Sequence, residues 1–157
     1  MKKIKVIDAS RLVSALARDK KRGKIIVFTN GVYDLIHAGH VTLLEKAKRL
    51  GDVLVVGINT DASVQRIKGS TRPIVPQKDR ALVLAALEAV DYVTFFGEDT
   101  PYELIRRLKP NVLVKGSDYS PDRIVGRELV KKVVTIPLVA GRSTSVMIKK
   151  ILKAYGK

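Results

Sequence analysis

Apolar positions along this chain fall into short continuous runs, set between longer stretches where they recur at helical spacing. Ile25-Ile26-Val27-Phe28 is apolar at four successive positions, the pattern of a strand buried on both faces. Val53-Leu54-Val55-Val56-Gly57-Ile58, Tyr92-Val93-Thr94-Phe95, Val112-Leu113-Val114 and Val133-Val134-Thr135-Ile136 read the same way. Before the first run, Leu12, Val13 and Leu16 share one face of a helix predicted from about Ser10, with Gly23 as its stop. Asn30-Gly31 predicts a turn, and a helix over 39–50 follows, ended by Gly51. A short helix over 61–67, a loop from Gly69 to Pro76 and a helix over 77–89 come next. Thr100-Pro101-Tyr102-Glu103 predicts a capping box with proline at the first helical position, in a helix that stops before Pro110. Ser120-Pro121 is expected to open a further helix, and Ser143 the last one.

Five strands alternating with helices make βαβ units, whose right-handed crossovers build a parallel sheet covered on both faces. The expected class is α/β: a single Rossmann-like domain over residues 1–157, with a five-stranded parallel sheet. No repeat, low-complexity tract or linker divides it. Such sheets bind ligands outside the carboxyl ends of their strands, where strand order reverses. The first strand exits into Thr29-Asn30-Gly31-Val32-Tyr33-Asp34-Leu35-Ile36-His37-Ala38-Gly39-His40, so the fold draws attention to that segment.

Composition narrows the chemistry. At 46% hydrophobic, the 157 residues can bury a core. With no cysteine, disulfides, thiolate metal sites and a cysteine nucleophile are excluded. Met1-Lys2-Lys3-Ile4-Lys5-Val6-Ile7-Asp8 has no apolar stretch of signal-peptide length. No run approaches the roughly 18–20 apolar residues that span a bilayer, so a cytoplasmic protein is expected. Thirty Lys and Arg against fifteen Asp and Glu leave a charge of +15. That excess suits nucleic acid, small polyanionic substrates or a lysine-rich surface. Aromatic residues make up only 5% and none alternate with the basic ones, which disfavours a base-stacking platform and nucleic acid as the main partner.

Both histidines of the protein, His37 and His40, lie three residues apart, so on a helical turn they share a face. A lone histidine there would be read as a cap. Two of them, between a buried strand and a helix amino end, point to phosphate, which such helix ends attract. Gly39 lets a ligand approach the backbone without a Cβ in the way. A zinc site would have to be completed by carboxylates alone.

The segment from Asn30 to His40, ending in His37-Ala38-Gly39-His40, resembles the signature of the cytidylyltransferase-like nucleotidyltransferases, and the likeness extends from Lys24 onward. Within that superfamily the chain is most similar to the adenylyltransferase domain of ADP-heptose synthases. The stretches that carry this are Phe28-Thr29-Asn30-Gly31, Asn59-Thr60-Asp61-Ala62-Ser63-Val64, Arg66-Ile67-Lys68-Gly69 with Arg72-Pro73-Ile74, Val112-Leu113-Val114-Lys115-Gly116-Ser117-Asp118-Tyr119, and Arg142-Ser143-Thr144-Ser145. Ile148 stands where the pantetheine-phosphate branch has an arginine, which sets this chain apart from that branch.

The resemblance implies transfer of AMP from ATP to D-glycero-β-D-manno-heptose 1-phosphate, with Mg²⁺ carried by the triphosphate, in a homo-oligomer. A sugar kinase domain often precedes this one in that family; none lies within these residues, so a stand-alone adenylyltransferase is expected. Sister activities are glycerol-3-phosphate cytidylyltransferase and FAD synthetase, and a non-enzymatic nucleic-acid-binding module is a further alternative. In the expected site, His37 and His40 stabilise charge at the α-phosphate and Lys68, in a flexible loop, closes over both phosphates. Arg72 and Arg80 are further cations of that region. Thr29, Asn30, Gly31, Val32, Tyr33 and Gly39 lie on the signature segment against the nucleotide. Lys115, Gly116 and Asp118 line its pocket, Asp118 as a ribose or base contact. Ser143, Thr144 and Ser145 offer the amino end of the last helix to phosphate, and Asp34 caps the turn.

Overall fold

The structure is a computed structural model that describes residues 5–137, 141 and 143–156, all but the side chain of Pro121. Helix α1 (Ala9–Lys21) begins behind Asp8 rather than Ser10. The Asp8 carboxylate accepts the N–H groups of Ser10 and Arg11, both at 3.0 Å, which satisfies two donors of the first turn. Strand β1 (Ile26–Gly31) runs to the centre of the sheet. It is followed by α2 (Ala38–Lys48), β2 (Val53–Asn59), α3 (Asp61–Lys68), α4 (Gln77–Ala86), β3 (Tyr92–Phe96), α5 (Tyr102–Leu108), β4 (Val112–Gly116), β5 (Lys132–Ile136) and α6 (Thr144–Tyr155).

The five strands are all parallel, in the order β3-β2-β1-β4-β5. The chain builds outward from β1 through β2 to β3, then returns to lay β4 on the other side of β1. Strand order therefore reverses between β1 and β4, where a crevice opens at the carboxyl ends. Beyond β3, residues 5–7 shield the sheet edge: Val93 donates its N–H to Lys5 and accepts that of Ile7.

Each strand sends alternate side chains to opposite faces. Val27, Leu54, Val56 and Val93 pack with Leu44 and Ala47 of α2 and with Ala81 and Leu84 of α4. Ile26, Phe28, Val53, Val55 and Leu113 pack with Leu12 and Leu16 of α1 and with Leu104, Ile105 and Leu108 of α5. This double burial explains why the strands read as continuous apolar runs.

Three local expectations are corrected. Asn30 and Gly31 pair with Gly57 and Ile58 as the end of β1, and the chain turns after them at Tyr33, whose φ is 52°. The ladder to β2 continues to that point, which overrides the local turn preference. Pro101 is the N-cap of α5 and no side chain caps it, so the capping box does not form. No α-helix follows Ser120-Pro121. That crossover is made of two 3₁₀ turns, Pro121–Arg123 and Arg127–Leu129. Gly126 interrupts it with a φ of 82°, and a Cβ there would lie 2.8 Å from Ile105 Cδ1. A left-handed backbone at Gly126 cannot continue an α-helix through this crossover.

Candidate active site

A cleft of about 550 Å³ opens over the carboxyl ends of β1, β2 and β4. Of the residues expected at the site, Asn30, Gly31, Val32, Tyr33, His37, Gly39, His40, Lys68, Arg72, Lys115, Asp118, Ser143, Thr144 and Ser145 line it. They come from four separate parts of the chain. Arg142, adjacent to the last group, lies outside the described residues.

The two histidines form the amino end of α2. His37 is its N-cap, and its Nδ1 accepts the Gly39 N–H at 3.1 Å. His40 Nδ1 accepts the His37 N–H at 3.4 Å. The rings stack at 3.9 Å between centroids, and Tyr33 lies against His40 at 5.1 Å. A neutral imidazole whose Nδ1 accepts a hydrogen bond carries its proton on Nε2. Capping therefore sets both rings in the same tautomer, with Nε2–H as the donor. Burial, reinforced by the neighbouring His37, lowers the pKa of His40 to about 4. Both histidines therefore act as caps of α2 through Nδ1, which leaves Nε2–H as the donor of each ring.

The floor of the cleft is built tightly. Tyr33 is buried, which pushes its phenol up to about 12 against an opposing hydrogen bond with Thr29. A Cβ on Gly31 would lie 3.1 Å from the Tyr33 ring, so glycine leaves the ring its place. Thr29 is 1% exposed and supports the floor from beneath instead of facing the cleft. Gly116 ends β4 without lining the cleft.

Lys115, the penultimate residue of β4, is largely buried. Its Nζ lies 3.4 Å from the Asn30 carbonyl and 5.1 Å from the centre of the Tyr119 ring. Desolvation lowers its pKa to about 8, although Asp118 works in the opposite direction. Asn30 Oδ1, on the facing strand, is buried and has no hydrogen-bond partner among the described residues. At the far wall, the Ser143 hydroxyl caps α6 by accepting the Val146 N–H at 3.2 Å. Thr144 donates to the Leu35 carbonyl at 3.3 Å, which ties α6 to the histidine segment.

Arg80 departs from expectation. It is 1% exposed and does not line the cleft. Its Nε donates to the Val75 carbonyl, Nη1 to that of Val32, and Nη2 to the Asn59 carbonyl and the Asp61 carboxylate. A guanidinium so fully engaged belongs to the framework, where it joins three segments. Sequence reasoning missed Asn59, Asp99, Thr100 and Tyr119, which also line the cleft. Asn59 and Tyr119 lie within stretches that carry the resemblance; Asp99 and Thr100 lie outside them and had no such signal. Among the described residues, no three of His, Cys, Asp and Glu converge as a metal site.

Residues 28–154 match the family model described as cytidylyltransferase-like. The chain is 54% identical over 157 residues to the bifunctional protein HldE of Citrifermentans bemidjiense, covering 98% of this chain and 32% of that protein. It is 61% identical over 132 residues to the bifunctional protein HldE of Wolinella succinogenes, covering 84% of this chain and 28% of that protein. It thus spans about a third of the length of these relatives. Among solved structures, the lipopolysaccharide core biosynthesis protein from Thermoplasma volcanium is similar at a TM-score of 0.64 and 29% identity, over 74% of this chain and 99% of that one. Pantoate-beta-alanine ligase from Francisella tularensis shares the fold, with a TM-score of 0.66 at 18% identity over 95% of this chain and 79% of that one.

Proposed function

The chain belongs to the cytidylyltransferase-like family, and from that premise we propose that it transfers AMP from ATP to D-glycero-β-D-manno-heptose 1-phosphate, releasing pyrophosphate. The observation that carries this reading is the pair of stacked, Nδ1-anchored imidazoles at the mouth of α2, in a cleft shared with Lys68, Arg72 and Lys115. An oxygen of the acceptor phosphate attacks the α-phosphorus, the bond to the bridging oxygen breaks, and pyrophosphate leaves with the electron pair. Two anions must meet, so positioned donors and cations matter more than a nucleophile. His40, neutral at physiological pH, and His37 donate Nε2–H to the α-phosphate oxygens as negative charge builds there. Lys68 and Arg72 hold the departing pyrophosphate.

A Mg²⁺ carried on the triphosphate fits this reading, because such an ion takes most of its ligands from phosphate and water and few from protein. Bound there, it would neutralise phosphate charge. For the acceptor, support comes from the ADP-heptose synthase resemblance, from 54–61% identity to the HldE proteins and from the likeness to the lipopolysaccharide core biosynthesis protein of Thermoplasma volcanium. We also read the chain as a homo-oligomer, on the apolar side of α6, where Ile151, Leu152 and Tyr155 stand exposed. No helix among the described residues is long and apolar enough to cross a membrane.

Pyrophosphate release across a panel of nucleotides and acceptor phosphates tests the proposal. Mg²⁺-dependent release with ATP and the heptose 1-phosphate is expected. Release only with CTP and glycerol 3-phosphate, or only with ATP and a flavin, would move the chain to a sister activity.

A further inference from the structure

The end of α3 and the loop that leads from it to α4 carry two cleft cations, and they are held very differently. Lys68 ends α3, and Gly69 follows with a φ of 96° and open space around it. From Gln65 to Thr71 every residue is exposed. From Arg72 onward the loop is clasped. Asp34, 3% exposed, accepts the N–H groups of Ile74 and Val75 at 2.9 and 2.8 Å and the Nε–H of Arg72 at 2.6 Å. Burial pushes the Asp34 carboxyl up, but the Val75 and Ile74 N–H groups and the Arg72 guanidinium outweigh it and hold it below the usual carboxylate range. Arg80 grips the same loop from below at the Val75 carbonyl and reaches the Val32 carbonyl, two residues before Asp34.

The geometry of Arg72 is the informative part. Its side chain is 19% exposed and lines the cleft, with Nε spent on Asp34. Among the described residues no hydrogen bond engages its two terminal nitrogens. A guanidinium is planar and rigid, so fixing Nε fixes the direction of the terminal pair as well. We propose that Asp34 is a positioning residue: its carboxylate aims the terminal nitrogens of Arg72 into the cleft as a preformed polyphosphate clamp, locked in register with the histidines on the same segment. Lys68, beyond the clasp, is the adjustable cation and Arg72 the fixed one. This rests on the cleft being a nucleotidyl-transfer site, though not on which nucleotide or acceptor it takes.

Charge and orientation make opposite forecasts. If Asp34 mattered only as a charge, removing it would leave Arg72 less neutralised and tighten anion binding. If it aims Arg72, removing it weakens binding. The Asp34→Asn variant keeps an oxygen for the Ile74 and Val75 N–H groups while turning an amide toward Arg72. The probe is magnesium pyrophosphate, titrated calorimetrically into the whole chain, because every nucleotide donor releases it. Asp34→Asn and Arg72→Gln should each weaken binding about tenfold, the scale of one lost charge-assisted hydrogen bond. The double variant should be no weaker than either single one, since both remove the same clamp. Arg72→Lys, which keeps the charge but not the fork, should lose as much as Arg72→Gln and supplies the test should Asp34→Asn not fold. Tighter or unchanged binding in Asp34→Asn, additive losses in the double variant, or wild-type binding by Arg72→Lys would each overturn the proposal. A wild-type chain that binds pyrophosphate but fails the acceptor panel would remove the heptose reading alone.

Discussion

His40 shows how much of the proposed chemistry resides in single side chains. It is held neutral by burial and by His37, and its proton is placed on Nε2 by the bond its Nδ1 accepts. A donor set in advance is worth more to the transition state than to bound ATP. His40→Ala should therefore lower turnover by about 10²–10³ while changing ATP affinity little, as for other preorganised donors. Steady-state kinetics beside a thermal melt check this, and near wild-type turnover in a folded variant would leave His40 as a helix cap only. Lys115 gives a complementary pH dependence. Its pKa is lowered from 10.5 to about 8, so the charge that would attract phosphate is lost as pH rises through that value. Nucleotide binding should weaken above about pH 8, and Lys115→Met should flatten this part of the profile. On stability the sign is opposite. Between about 8 and 10.5 the unfolded chain binds more protons at this site, so deprotonation relieves the native state and its contribution to stability rises with pH.

Elements explain why the site has its shape. The amino ends of α2 and α6 both meet the cleft, and their capping residues are its lining: His37 and Ser143. Behind them, β2 must lie close under α5. At Gly57 a Cβ would lie 2.8 Å from Phe28 Cζ and 3.1 Å from Leu104 Cδ2. Phe28 is fully buried between elements and has little room to retreat. Gly57→Ala should cost about 1–3 kcal/mol by overpacking, read as a lower urea midpoint, with the folded fraction keeping its nucleotide affinity. Unchanged stability would mean that this face yields more easily than its packing indicates. Strands and long helices were legible in the chain because burial on both faces, or on one stripe, leaves a direct periodic trace. The Ser120-Pro121 helix and the Thr100 capping box do not form: the crossover turns through a left-handed Gly126, and Pro101 instead of Thr100 takes the N-cap place.

At the scale of the whole molecule, the charge of +15 is the dominant fact. Lys68, Arg72 and Lys115 gather at the cleft, but most basic residues do not; Arg18, Lys20 and Lys21, for example, end α1 and complement its dipole. A charge spread this way attracts polyanions without reading them. Duplex DNA should bind weakly and dissociate steeply as salt rises, measured by fluorescence anisotropy against salt. Tight, sequence-dependent binding at physiological salt would revive a nucleic-acid role.

The sequence by itself determined the α/β class, the five strands and the histidine pair, because hydrophobic periodicity and a short contiguous motif are local properties of a chain. It also placed most of the cleft residues, through stretches that each keep their pattern within a few positions. Tertiary structure alone decided which cations face the cleft. Arg72 and Arg80 lie eight residues apart in one basic region, yet one is aimed into the cleft by Asp34 and the other is consumed by three carbonyls and Asp61 beneath it. The difference arises from partners brought in from the segment after β1, from β2 and from α3, and no local pattern can record a hydrogen bond between segments tens of residues apart.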